Sequence, residues 1–268
     1  MKRIILLGTG NGDVVNCYNT CFAIQNGHEY FLVDAGGGNR IVAQLRDANI
    51  PLKNIHDVFV SHIHADHILG VFWVIRRIGE LILSADYDGV LTIRSHQQVA
   101  EAIREISMTI LQKKFRQLLD NRILIKAVED GQSERICGFA PTFFDIRAKG
   151  DRQFGFHMEY EPGKRLVFLG DEPLNPELGG LVAGSDYLMH EAFCLDSQEH
   201  IFRAYEKNHS TAKAAAMMAE QLQVKNLILY HTEEETLANR KQMYTAEAKE
   251  YCNCNVYVPD DLDIIALD

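Results

Sequence analysis

Long apolar runs are missing from this chain. The longest internal one, Ile68 to Ile75, stops at Arg76-Arg77 and falls far short of a membrane span. The apolar stretch after Met1-Lys2-Arg3 ends within about five positions, too short for the core of a secretory signal. Cysteine is sparse: 6 residues in 268, at Cys17, Cys21, Cys137, Cys194, Cys252 and Cys254. So few in a chain this long do not make a disulfide scaffold; either close pair could be half of a metal site, but neither has a second pair at zinc-ribbon spacing, so reduced thiols in a soluble, cytoplasmic protein are expected. Linkers rich in proline or serine, repeats and like-charge blocks are absent, which predicts a single domain over residues 1–268. Positive charge is in deficit, 27 Lys+Arg against 37 Asp+Glu, for a net charge of −10. Such a field repels polyanions and disfavours nucleic-acid partners as a class. What is present is ordinary globular composition, 47% hydrophobic and 24% charged, together with 11 histidines whose placement matters more than their number.

Strands are predicted at Arg3–Leu7, Cys21–Gln25 and Glu29–Asp34, with Asn26-Gly27 as a hairpin turn. A helix over Arg40–Ala48 ends before Pro51, and Asp57–Ser61 reads as a strand buried on both faces. Within 96–119, Val99, Ile103, Ile106 and Ile110 recur at helical spacing. Further strands are expected at Asn121–Val128, Thr142–Arg147, Phe154–Tyr160, Arg165–Leu169, Tyr187–Met189 and Leu227–Tyr230. A helix at Thr211–Leu222 carries an Ala-rich stripe with Ser210 or Thr211 to cap it. Strands alternating with helices predict an α/β layered sandwich.

Residues 61–67 read Ser-His-Ile-His-Ala-Asp-His, directly after a predicted buried strand. His62 and His64, two apart, can point the same way from an extended turn. Asp66 and His67, at the start of the following helix, can face a second centre. Imidazole with carboxylate suits zinc, iron or manganese rather than calcium or magnesium. More donors arrive from distant sequence in one repeated manner. Gly170-Asp171, His190-Glu191 and His231 each follow a predicted strand, at the C-terminal end where open α/β sheets place their sites.

The H-x-H-x-D-H block, Gly170-Asp171 and the late His231 resemble the metallo-β-lactamase superfamily of binuclear hydrolases. The strings HEAF at His190–Phe193 and HSTAKAAAMMAE at His209–Glu220 are similar to its ribonuclease Z and phosphodiesterase branch. GTGNGD near the start and LVDAGG at Leu32–Gly37 also fit that branch. The resemblance implies a four-layer αββα sandwich holding two divalent metals, zinc first, with manganese or iron as alternatives. His62 and His64 would bind one metal, Asp66, His67 and His231 the other, and Asp171 would bridge them. Asp34 would be a buried carboxylate under the site. His209, held by Glu191, would protonate a leaving oxygen, so that Asp66, His209 and Glu191 form the catalytic set. His190 is as readily a core histidine.

Two departures from that pattern stand out. The family supplies a third His to the first metal from a strand before the bridging Asp, and in the register taken here that position holds Arg147. Guanidinium stays protonated and cannot serve as an ordinary ligand. Asp145 or His157 could substitute, the first metal could be weakly held, or Arg147 could grip a substrate phosphate. Secondly, only 24 positions separate Arg147 from Asp171, leaving no room for the arm with which ribonuclease Z enzymes hold tRNA. With the negative charge, this disfavours tRNA and points to a small-molecule substrate. Gly8, Gly10 and Gly12 lack the spacing of a dinucleotide loop. The resemblance admits a homodimer, although no exposed stripe specifies one, and no membrane partner is expected.

The resulting expectation is a metal-dependent phosphodiesterase in which a metal-bound hydroxide attacks a small phosphoester. Alternatives are a thioester, lactone or sulfate-ester hydrolase on the same scaffold, or a metal-binding protein whose degenerate site has no turnover.

Overall fold

Alternation along the first strand divides the interior. In β1 (Lys2–Gly8) Ile4 and Leu6 enter one apolar cluster while Ile5 and Leu7 enter another, so both faces of the strand are covered. The same alternation continues through β2 (Cys21–Asn26), β3 (Glu29–Val33) and the end of β4 (Ile55–Phe59), whereas β5 (Leu91–Ser95) and β6 (Ile123–Ala127) send Leu91, Ile93, Ile123 and Ile125 only into the cluster that holds Ile5 and Leu7. The chain then builds a second sheet from β7 (Thr142–Asp145), β8 (Phe154–Glu161), β9 (Lys164–Phe168), β10 (Tyr187–Glu191), β11 (Asn226–Tyr230) and β12 (Asn255–Tyr257). Finally β13 (Ile264–Ala266) returns to the edge of the first. Strand order is β13-β1-β2-β3-β4-β5-β6 in one sheet and β12-β11-β10-β9-β8-β7 in the other. This computed structural model describes residues 2–268.

The sheets face each other across an aromatic layer. Phe22 meets Phe168 at 5.1 Å between ring centroids, Phe31 meets Phe156 at 5.6 Å and Phe59 meets Phe143 at 4.8 Å. Each such ring removed from water stabilises the stack by roughly 1.5–3 kcal/mol. The outer face of the first sheet is covered by α1 (Arg40–Asp47), α2 (Ala65–Leu83) and α3 (Gln97–Ile110), with the short α4 (Lys113–Arg116) beside them. The outer face of the second is covered chiefly by α7 (Ala212–Gln221) and α8 (Arg240–Lys249), which follow the one-turn α5 (Gly179–Val182) and α6 (Glu199–Phe202). The four layers are therefore αββα, as expected. No helix among the described residues is long and apolar enough to cross a membrane.

Three differences from the sequence reading have physical causes. The strand expected over 142–147 ends at Asp145, because Arg147 takes a left-handed conformation with φ 57°. The helix expected over 96–119 breaks at Leu111-Gln112, where the backbone turns extended before α4. Cys252 and Cys254, expected as free thiols, are joined in a disulfide, since the turn after α8 brings their Cα atoms to 5.4 Å.

The topology decides where chemistry collects. Strands β3 to β6 run parallel, as do β9 to β12, so the turns after β4, β9, β10 and β11 emerge together. A backbone bond from Phe154 N to Ser61 O, 3.0 Å, stitches the sheets at that end.

Candidate metal centre

Beneath the centre lies Asp34, fully buried with φ 55°, just past β3. Its Oδ1 accepts from Ser61 N at 2.7 Å, and its Oδ2 accepts from Ser61 Oγ at 2.8 Å and bonds His67 Nδ1 at 2.9 Å. One carboxylate thus fixes both ends of the segment that carries the histidines. Gly70 seats the start of α2 against Ala35: a Cβ there would overlap the Ala35 carbonyl oxygen, and Gly70 N bonds Gly36 O at 2.8 Å. Only glycine permits that approach.

The donors converge on Asp171, which follows Gly170 (φ 74°) at the end of β9. His62 Nε2, His67 Nε2 and His231 Nε2 lie 3.3, 3.4 and 3.4 Å from Asp171 Oδ2. Asp66 Oδ2 stands 3.3 Å from His67 Nε2 and 3.6 Å from His231 Nε2. His62, His64 and Asp171 form one set of donors within 4.8 Å of one another, and Asp66, His67 and His231 form a second. His231, with φ 58° directly after β11, is flanked by the Gly-rich loop, where Thr232 N bonds Thr9 O at 3.1 Å and Asn11 N bonds Thr232 O at 3.0 Å. A Cβ at Gly12 would stand 3.3 Å from Asp66 Oδ2, so that loop brings backbone up to the centre.

These residues fit a divalent cation. The buried atoms His62 Nε2, His67 Nε2, Asp171 Oδ1 and both ring nitrogens of His231 have no hydrogen-bond partner among the described residues. Leaving such groups unpaired costs about 1–3 kcal/mol each, which a shared cation would offset. Burial opposes charge on Asp171, yet His62 and the neighbouring imidazoles hold its carboxyl well below the usual range. Burial also opposes a charge on His67, but Asp66 and Asp34 draw its pKa well above the ordinary value. The pocket therefore has surplus negative potential, the condition a bound cation relieves.

Glu191, at the end of β10, and His209 form a third set with His231, again within 4.8 Å. His209 is not hydrogen-bonded to Glu191, whose Oε2 lies 3.7 Å from Nδ1; its Nδ1 donates to the Asp171 carbonyl at 2.8 Å. Glu191 acts on the backbone either side instead, accepting from Ser210 N and, at 3.1 Å, from Phe193 N. Burial drives the Glu191 carboxyl up, and those two N–H groups work against it. The His209 ring stacks on Phe193 at 4.5 Å and 11°, and burial pushes its pKa down to about 4. His190 lies inside the second sheet, its Nδ1 donating to Glu191 O at 2.6 Å, and takes no part in these sets.

Arg147 is turned away from the donors. Its guanidinium pairs with Glu177 and its backbone N donates to Asp145 Oδ1 at 2.8 Å. With Lys149 and Asn208 it lines a cleft of about 160 Å³ that also includes Glu172, next to Asp171. Asp145 is occupied by Arg152 Nε at 2.7 Å, and His157 lies along β8 beside Phe144, so neither joins the donor sets. A second cleft of about 270 Å³ is lined by Asn11 of the Gly-rich loop together with Phe193, Phe202 and Lys207 among others. Sequence reasoning missed Gln153, whose Oε1 accepts from Asp171 N at 3.2 Å, and Glu172, which accepts from Lys149 N and Gly150 N. It also missed Arg240, buried beneath Thr232 and donating to its Oγ1 at 2.8 Å. None carries a motif; each is visible only once the loops are in place.

Comparison with known proteins bears on this arrangement. The family model described as Anti-Pycsar protein Apyc1 matches residues 2–251. Ribonuclease Z of Archaeoglobus fulgidus is 23% identical over 279 residues, covering 85% of this chain and 86% of that protein. Among solved structures, the metallo-β-lactamase fold protein YhfI from Bacillus subtilis superposes with a TM-score of 0.80 at 17% identity, covering 98% of each chain. A diphosphatase from the PhnP family superposes with a TM-score of 0.74 at 14% identity, covering 100% of this chain and 98% of the other.

Proposed function

The chain belongs to the Anti-Pycsar protein Apyc1 family and is a ribonuclease Z-like hydrolase of the metallo-β-lactamase superfamily, and from that premise we propose that it is a binuclear metal-dependent phosphodiesterase acting on a small phosphoester. The observation that carries the reading is His209, anchored through Nδ1 to the Asp171 carbonyl beside the donor sets. An ester with a poor alkoxide leaving group needs such a proton donor, whereas a thioester, whose thiolate leaves readily, needs it less.

His62, His64 and Asp171 would hold one cation and Asp66, His67, His231 and Asp171 the other, with zinc the metal best suited to imidazole and carboxylate. Bound divalent cations supply Lewis acidity toward a phosphoryl oxygen and lower the pKa of water toward neutrality. His209 keeps its Nδ1 proton on the Asp171 carbonyl and turns Nε2 toward the leaving oxygen. Burial disfavours its charged form, and an anionic phosphodiester beside it restores that form, so protonation accompanies substrate binding. Arg147 and Lys149, at the mouth of the neighbouring cleft, supply positive charge to the phosphate. The Arg147–Glu177 pair is exposed, and such pairs are worth about 0–1 kcal/mol, so the guanidinium exchanges partner at little cost.

The cleft of about 160 Å³ and the net charge of −10 support a small substrate and disfavour tRNA. A panel of bis(p-nitrophenyl) phosphate, cyclic nucleotides, thioesters and a precursor tRNA tests the reading. Turnover of phosphodiesters but not tRNA is expected; thioester turnover with no phosphodiester turnover would sink it.

A further inference from the structure

We infer that Asp151 is the residue that orients His64 and thereby sets the affinity of the first metal position. The inference rests on the proposed metal-binding role of the donor sets. Two buried histidines of the centre, His62 and His67, are gripped by the ring nitrogen that faces away from Asp171, whereas His231 has no such partner among the described residues. His62 Nδ1 bonds Ser61 Oγ at 2.9 Å, and His67 Nδ1 bonds Asp34 Oδ2 at 2.9 Å, while both Nε2 atoms face Asp171 Oδ2. His64 lies on the open side, its side chain 46% exposed, and its contact is Asp151: Nε2 to Oδ2, 3.1 Å. Asp151 is not a member of the set in which His64 keeps within 4.8 Å of His62 and Asp171. The carboxylate therefore grips the outer nitrogen and leaves Nδ1 for the centre, as Ser61 and Asp34 leave Nε2 on their own histidines.

The loop that carries Asp151 is built to present it. Glu172, immediately after Asp171, accepts from Lys149 N at 2.8 Å and Gly150 N at 3.1 Å, while Gln153 Oε1 accepts from Asp171 N at 3.2 Å. Arg152 Nε, between them, donates to Asp145 Oδ2 at 2.7 Å. The segment on either side of residue 151 is thus tied to the Asp171 backbone and its neighbour. This is the stretch in which the resemblance expects a third imidazole, and the chain has none between His96 and His157. The loop supports a ligand where its relatives would supply one. The first position then has two imidazoles and the shared carboxylate, against two imidazoles, Asp66 and the shared carboxylate at the second, and its affinity depends on how firmly His64 is aimed. Such outer partners of metal-bound histidines change affinity by about 10–100-fold.

Titration of the full-length, chelator-stripped protein with cobalt(II), followed by calorimetry and visible absorption, tests this. The wild type is expected to take two equivalents, one tight and one weaker. Asp151→Ala should weaken the weaker step by about 10–100-fold and leave the tight one and the melting temperature in place. Asp151→Asn, whose amide oxygen still accepts from Nε2–H, should recover most of that loss. An alanine variant that binds both equivalents like the wild type overturns the inference alone. So does a thiolate-to-cobalt charge-transfer band in Asp151→Cys, which would make residue 151 a direct ligand. A wild-type chain that takes no cobalt overturns the proposed function and this inference with it.

Discussion

His209 shows how position and proton affinity are set by different neighbours. The Asp171 carbonyl and the Phe193 ring fix its place, while burial lowers its pKa to about 4. Because burial favours the neutral imidazole, the free enzyme holds it unprotonated at neutral pH, and activity should fall as pH rises past the value the bound anion restores. His209→Ala is expected to lower turnover by about 10²–10⁴-fold with metal content unchanged, checked by steady-state kinetics beside elemental analysis. Loss of metal in that variant would mean that the residue serves as a ligand. At this scale the sequence was informative where donors are contiguous, as in His62 to His67, or stand directly after a strand, as Asp171 and His231 do. Asp151, Gln153 and Glu172 escaped it because their roles depend on how an irregular loop folds over Asp171, and no spacing encodes that. Arg147 was placed in the register of a strand that its own left-handed backbone has already ended.

Among the elements, α2 depends most on one residue. Gly70 lets the helix approach Ala35, and Asp66 and His67 lie in its first turn. Gly70→Ala should push the helix off the backbone it rests on, at a cost of about 1–3 kcal/mol or more, since the obstructing atom is a carbonyl oxygen and cannot swing aside. Chemical denaturation would measure that loss, and metal titration should show the second position weakened along with it. The strands that sequence patterns revealed are the apolar ones. β5 escaped notice because Arg94 sits within it, its guanidinium bonded at 2.5 Å to Asp57 and at 2.5 Å to Glu134. α8 was equally hidden, since among its ten residues only Arg240, Tyr244 and Ala248 are buried. Both defeat hydrophobic periodicity, the strand because a buried ion-paired arginine interrupts it and the helix because Tyr244 and Ala248 alone carry its apolar contacts.

For the molecule as a whole, the αββα stack gathers Asp34, Asp66, Asp171 and Glu191 at one end of an already acidic chain. Without a cation these groups repel, so metal removal should register in global stability. A cation present at about 100 times its dissociation constant adds about 2.7 kcal/mol. At about 2–4 °C per kcal/mol, chelation should lower the melting temperature by roughly 5–10 °C, with recovery on adding zinc. Scanning calorimetry of the stripped and reloaded protein checks this, and an unchanged melting temperature would argue against occupied sites.

The donors are divided between the two sheets. His62, His64, Asp66 and His67 come from the turn after β4, while Asp171 and His231 follow β9 and β11. Neither sheet alone owns a complete coordination sphere. A bound ion would therefore work as a rivet through two plates: it can be set only after the plates are aligned, and it then resists their sliding apart.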